Sequence, residues 1–396
     1  MNTKIPRTLF SNAKIQPLSI SNFLWILAVV LLIGQLQFGI PPASASAQLW
    51  TRGIDTNTLL ASSTVCPPSI GFGETIQCSI VSAGEMDTYT FTASAGDKVL
   101  VRMSKSSGTL YPGIRVYSPD GTKLCEVDGL YTAEIASCTL TSTGTYSIVA
   151  YDGFGHVGGG TSTGDYFLSL QRLNNPGSPV SIAFGQTLSG SIITPAEMDT
   201  YTFTASAGDK VLVRMSTSSG NLWEEIRVYS PDGTKLCETY TTAEIASCTL
   251  SSTGTYTILA YDGFDGTLTG DYYLYLQRLN NPGSPVSITF GQTLSGSIIT
   301  PAEMDTYTFT ASAGDKVLVR MSKSSGSLWA GIRVYSPDGT KRCEAYSPST
   351  AEIASCTLTS TGTYTILAYD GFNGTYTGDY RLCLDCGNVY LPLILK

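Results

Sequence analysis

Apolar and polar residues alternate one by one through most of the chain beyond residue 65. In Thr200-Tyr-Thr-Phe-Thr204 the aromatics fall on one face of an extended segment and the threonines on the other. Lys210-Val-Leu-Val-Arg-Met215 follows an Ala207-Gly-Asp209 turn. Ile226-Arg-Val-Tyr229 stops at Ser230-Pro-Asp-Gly233, where Pro and Gly meet the backbone preferences of a turn. Further extended segments run over Thr234–Glu238, Ala243–Leu250, Gly254–Tyr261 and Asp271–Leu276, and Ser181–Ile192 supplies a leading strand pair. Seven to nine short strands in about 105 residues predict a β-sandwich.

The pattern occurs three times. Residues 173–216 and 279–322 differ only at Ala183 against Thr289, and the first copy carries the same string from Glu85 to Ser104. A repeat of roughly 110 residues is a whole domain and not a solenoid rung. The expected organisation is a signal segment over 1–47, a linker over 48–64, sandwiches over 65–174, 175–280 and 281–388, and a tail over 389–396.

The order of motifs resembles the bacterial pre-peptidase C-terminal domain. Each copy runs through Met-Asp-Thr-Tyr-Thr-Phe-Thr-Ala, Ala-Gly-Asp-Lys-Val, Ile-Arg-Val-Tyr-Ser-Pro-Asp-Gly-Thr, a Gly-Thr-Tyr strand and a Gly-Asp-Tyr strand. The resemblance implies an all-β, jelly-roll-like sandwich, three in tandem. Members of the family are mostly appendages of secreted peptidases, and some relatives bind calcium or extracellular polymers. This chain departs in one respect, since Gln48–Thr64 is too short to be a catalytic domain.

Lys4, Arg7 and Lys14 precede the apolar run Phe23–Ile33, and Ala43-Ser-Ala-Ser-Ala47 follows with small-residue cleavage sites after Ala45 or Ala47. The competing reading is an uncleaved membrane anchor reaching Ile40. Either reading places the rest of the chain outside the cell, secreted or at the cell surface. The net charge of −8 becomes −11 after cleavage, with 20 basic and 31 acidic residues left. Such a surface repels phosphate backbones, so nucleic acid is excluded as a partner. Membrane contact is expected only if the apolar segment is retained.

Ten cysteines suit an oxidising compartment. Cys125 and Cys138, Cys237 and Cys248, and Cys343 and Cys356 occupy one place in successive repeats, close enough to clip one loop or hairpin in each. Cys66 and Cys78 form a further pair, as do Cys383 and Cys386. The last pair would point to opposite faces of a strand, so bridging it requires a turn or bulge.

Candidate chemistry is sparse. His156, the single histidine, lies in a Gly-rich loop with no Gly-x-Ser-x-Gly elbow or His-Glu-x-x-His elsewhere, so no catalytic residues are expected and the chain reads as no enzyme. No cofactor is implied. Calcium is the one cation its loops could take, through Asp262, Asp265 and Asp271 or Asp370, Asn373 and Asp379 in what reads as a hairpin loop, although the same residues serve as turn formers. The first copy has Asp152 and Asp165 there, with Gly155 between them. Tyr111, Trp223 and Trp329 share one position just before the Ile-Arg-Val-Tyr strand. A ring there either caps the core or stands exposed to stack on a sugar or peptide. The expected function is a non-catalytic extracellular or cell-surface module that binds a polysaccharide or protein matrix. The alternative is an accessory or targeting component of a secreted peptidase or other hydrolase system.

Overall fold

The computed structural model describes residues 66–154, 160–239 and 243–386. In the first sandwich the strands are β1 (Glu74–Ile80), β2 (Met86–Ala93), β3 (Lys98–Lys105) and β4 (Pro112–Tyr117). They continue with β5 (Lys123–Asp128), β6 (Thr132–Thr139), β7 (Gly144–Asp152) and β8 (Gly164–Arg172). Two sheets form, in the orders β1-β8-β3-β6 and β2-β7-β4-β5, so every connection except that from β4 to β5 crosses between sheets, as in a jelly roll. The second and third sandwiches repeat both orders. Their leading pairs resolve into a two-residue strand, Val180–Ser181 or Val286–Ser287, beside the next sheet, followed by Gln186–Ile192 or Thr293–Ile298. Among the described residues the fold is all-β, three tandem sandwiches, as the alternation predicts.

The alternation builds each core. Tyr89 and Phe91 of β2 face Val99, Val101 and Met103 of β3 between the sheets, all buried. Ser118-Pro-Asp-Gly121 closes as a turn, with Gly121 at φ 82° and the Ser118 amide donating to the Thr122 carbonyl at 2.9 Å. The tyrosine of each Gly-Thr-Tyr strand reaches back four residues: the Tyr146, Tyr256 and Tyr364 hydroxyls donate to the carbonyls of Ser142, Ser252 and Ser360.

Disulfides join Cys66 to Cys78, Cys125 to Cys138, Cys237 to Cys248, Cys343 to Cys356 and Cys383 to Cys386. Cys125 lies on β5 and Cys138 on β6, which belong to opposite sheets. The bridge therefore pins the two layers together where the spacing also suggested a hairpin. Near the C-terminus the last strand ends at Leu384 and Asp385 takes φ 55°, a turn that swings Cys386 back to Cys383.

Neighbouring sandwiches meet sheet on sheet. Leu100 and Leu173 of the first pack with Met198, Tyr229, Leu259 and Tyr261 of the second. Leu212, Tyr275 and Leu279 of the second pack in turn with Met304, Tyr335, Leu367 and Tyr369 of the third. Polar contacts repeat as well. Arg102 Nη2 donates to the Asp262 carbonyl at 2.6 Å, and Arg214 Nη2 to that of Asp370 at 3.1 Å. Arg227 pairs with Glu134, and Arg333 with Glu244 at 2.6 Å. Gln171 and Gln277 each donate to a threonine of the next sandwich, Thr200 or Thr306, at 2.7 Å. One seam is thus built twice from equivalent residues.

Candidate binding surface

Each sandwich carries one aromatic pair at the same place. Leu110, Leu222 and Leu328 are buried in the core, which turns the next residue, Tyr111, Trp223 or Trp329, away from it. A phenylalanine meets that ring from the Asp-Gly-Phe segment that ends the Gly-Thr-Tyr strand. Ring centroids lie 4.9 Å apart for Tyr111 and Phe154, 5.2 Å for Trp223 and Phe264, and 4.8 Å for Trp329 and Phe372. Tyr376 adds a third ring, parallel to Phe372 at 5.6 Å. The phenylalanines are 59%, 63% and 56% exposed and Trp223 is 45% exposed, while Tyr111 and Trp329 are half-buried. The core is filled by the leucine, and the aromatic pair lies over it facing water.

Asp152, Asp262 and Asp370 build these pairs. Their Oδ1 atoms accept the amides of Tyr111 at 3.1 Å, Trp223 at 3.3 Å and Trp329 at 3.1 Å. Their Oδ2 atoms accept Ser162 N at 2.9 Å, Leu268 N at 3.2 Å and Gly374 N at 2.8 Å. The carbonyls of Trp223 and Trp329 accept the amides of Gly263 and Gly371 in return, at 2.8 and 2.9 Å. Glycine is needed between Asp and Phe, because a Cβ on Gly263 would lie 2.8 Å from Glu225 Cβ and one on Gly371 2.7 Å from Tyr346 Cβ.

These contacts give the loop carboxylates a turn-forming role. They also correct the expectation of a hairpin loop. Gly254–Asp262 and Gly270–Arg278 belong to different sheets, so the segment between them crosses from one layer to the other. Asp271 is held on its own sheet by the hydroxyls of Ser191 and Ser219, both at 2.6 Å. Asp265 and Asn373 accept from the threonines two residues on, Thr267 and Thr375. His156 lies outside the described residues, as do the signal segment, the linker and the 389–396 tail.

Positive charge and open space border the platforms. Lys105 Nζ stands 5.8 Å from the Tyr111 ring centroid and 5.1 Å from that of Tyr131. Beside Phe372 lies a cleft of about 640 Å³ lined by Arg214, Glu244 and Arg333 at the second seam.

A second repeated feature is an acid–phenol chain that ties the two sheets of a sandwich. Tyr201 and Tyr272 share a hydrogen bond at 2.8 Å, and Tyr272 donates to Asp199 at 2.6 Å. Tyr307, Tyr380 and Asp305 repeat it at 2.7 and 2.5 Å. Burial pushes the Asp199 and Asp305 carboxyls up to about 6, against the pull of the tyrosine hydroxyls. Clefts of about 500 and 290 Å³ open beside them at the two seams. In the first sandwich Cys78, bridged to Cys66, stands where the others have Gly190 and Gly296. Among the described residues lining these clefts there is neither a thiol nor an imidazole to accompany the acid.

A family model described as the bacterial pre-peptidase C-terminal domain matches residues 197–262 and 303–370. The second and third sandwiches are pre-peptidase C-terminal domains. Both matched stretches open at the acid before the Met-Asp-Thr-Tyr strand and close on the aspartate of Asp-Gly-Phe. The first sandwich repeats the strand order and motifs, a third copy of the same unit. Among solved structures, the pre-peptidase C-terminal domain of a Bacillus anthracis collagenase is 20% identical, covering 26% of this chain and 97% of its own, with a TM-score of 0.23. The periplasmic inhibitor of g-type lysozyme from Aeromonas hydrophila, PliG, is 19% identical over 25% of this chain and 96% of its own, at 0.21. The CUB1-EGF-CUB2 segment of human MASP-1/3 is 12% identical over 51% and 98%, at 0.16. No curated protein matches the chain.

The position of Tyr111, Trp223 and Trp329 is legible in the sequence, but their phenylalanine partners are not found by reading Asp-Gly-Phe for its carboxylates alone. The signal is its recurrence at 152–154, 262–264 and 370–372.

Proposed function

We propose that the chain is a non-catalytic binding protein of the cell exterior, whose three sandwiches each present an aromatic platform to a repeating polysaccharide or matrix protein. The observation that carries this reading is the threefold recurrence of a partly exposed ring pair at one place in the fold. A flat, half-wet aromatic surface suits the apolar face of a sugar ring or a peptide side chain. Three equivalent sites on one chain multiply weak contacts into avidity on a polymer. Five disulfides support an oxidising location. The matched family consists of non-catalytic modules, which supports the absence of a reaction.

The test passes the purified protein over arrays of glycans and matrix proteins, with and without calcium. Single alanine changes at Tyr111, Trp223 or Trp329 should weaken binding roughly fivefold to tenfold, the scale of one aromatic contact of about 1 kcal/mol. The triple change should abolish binding while the melting temperature stays near that of the parent. Binding that survives the triple change unaltered would place the surface elsewhere.

A further inference from the structure

The seam between sandwiches has two halves, and each half recurs once more without a described partner. The half that Met198, Tyr229 and Leu259 form in the second sandwich is made in the first by Met86, Tyr117 and Val149, on the outer face of the β2-β7-β4-β5 sheet. Met198 and Met304 are 8% and 3% exposed inside their seams, whereas Met86 is 41% exposed. Thr200 and Thr306 are buried and Thr88 is exposed. Arg115 stands where Arg227 and Arg333 reach across to Glu134 and Glu244.

The opposite half, formed by Leu100, Arg102 and Glu134 or by Leu212, Arg214 and Glu244, recurs in the third sandwich as Leu318, Arg320 and Glu352. Arg102 and Arg214 have 5% and 8% of their side chains exposed, and Arg320 has 33%. Lys316 repeats Lys98 and Lys210, which donate across the seam to Thr234 and Thr340. Their counterpart on the first sandwich, Thr122, follows Asp120 in an exposed turn.

We propose that a second copy of this chain docks head to tail, with the outer face of its third sandwich on the Met86 face of the first. The methionine, tyrosine and leucine at the centre of both internal seams, the arginine–glutamate pair and the lysine–turn contact recur on the two open faces as Met86, Tyr117 and Leu318, Arg115 and Glu352, and Lys316 and Thr122, with complementary charge. The replacements at the third sandwich are compatible with docking. Cys383 takes the place of Tyr275, but the first seam forms with Ser169 there. Asp385 replaces Gln171 and Gln277, exchanging a donor for an acceptor toward the Thr88 hydroxyl. A head-to-tail contact leaves one open face at each end of a pair, so further copies add until the rotation closes a ring or the chain of copies stays open.

Sedimentation velocity on the purified protein over a concentration series tests this. The weight-average sedimentation coefficient should rise with concentration. Arg115→Glu alone and Glu352→Arg alone should each abolish the rise, because like charges then meet at the contact. An equimolar mixture of the two variants should restore it, since each contact again joins opposite charges. Met86→Arg, away from the Arg115–Glu126 pair, should also give a monomer with an unchanged melting temperature. A parent protein that stays monomeric at every concentration overturns the proposal, whatever covers Met86. So do variants that associate like the parent, or a mixture that stays monomeric when the parent does not.

Discussion

Asp199 and Asp305 show how one half-buried side chain makes stability depend on pH. Folded, each holds its proton up to about pH 6, while in the unfolded chain it is lost near the ordinary value of 3.8. Between those values the folded state binds more protons, so stability falls as pH rises through the interval. Roughly 3 kcal/mol per group is the upper scale of the effect. Glu126 and Glu344 act oppositely. Hydrogen bonds from Lys123 and Arg115 hold Glu126 at about 2, and at Glu344 those from Lys341 and Arg333 outweigh burial to the same end. Their contribution is present above the ordinary glutamate range and is lost as pH falls toward 2. Stability should therefore peak near about pH 4, where the glutamate gain is complete and the aspartate loss begins. Melting temperatures followed by circular dichroism from acid to neutral pH should show that maximum. In the Asp199→Asn, Asp305→Asn double variant the decline toward neutral pH should largely disappear. A parent protein equally stable at pH 5 and pH 7 would contradict the assignment.

At the scale of elements, the cross-sheet disulfides do what a local hairpin clip could not. Cys237 and Cys248, 11 residues apart with Cα atoms 6.0 Å apart, join strands of opposite sheets. Replacing both with alanine should cost about 3 kcal/mol, read from the midpoint of urea unfolding, because the bridge restricts the unfolded chain and fixes the layer spacing. The Cys383–Cys386 bridge spans three residues, so its removal should cost less. The crossover segments form the other class of element that matters here. Each links two sheets, and its Asp-Gly-Phe start is fixed by amide contacts. Gly371→Ala should therefore displace Phe372 from Trp329 and quench or shift the tryptophan fluorescence, while the core leucine Leu328 stays in place.

For the molecule as a whole, the repeated seam decides how far the three sandwiches act together. Leu212 is fully buried against the third sandwich, where Met304, Leu367 and Tyr369 surround it. Leu212→Arg places an unpaired charge in that contact and should uncouple the third sandwich. Calorimetry should then resolve two transitions where the parent shows more concerted unfolding. The same seam holds the Asp370 crossover against Arg214, so uncoupling should also weaken polymer binding through Phe372 and Trp329. If the variant melts as the parent does, the seam contributes little to cooperativity.

Period-two alternation, turn residues at fixed offsets and near-identical repeats are local properties, and they determine the strands and the number of copies from the sequence alone, while the order of the motifs carries the resemblance to the family. Cysteine spacing and the leucine–aromatic dipeptides are similarly local, so they mark one place per repeat before any fold is known. Which sheet a strand joins is not local. The segment after Asp262 reads as a hairpin because its flanking strands are close in sequence, yet they pair with strands dozens of residues away in opposite layers. The seams are hidden for a related reason. Thr200 and Arg102 read as solvent-facing positions of alternating strands, and both are buried because a second sheet covers the face they occupy. The apolar runs Val-Leu-Val at 99–101 and 211–213 and Ile-Leu-Ala at 258–260 and 366–368 carry a trace of that burial in the sequence, since their leucines face away from the core of their own sandwich. Alternation tells which face of a strand is apolar, but only the packing of whole sandwiches decides which polar faces lose their water.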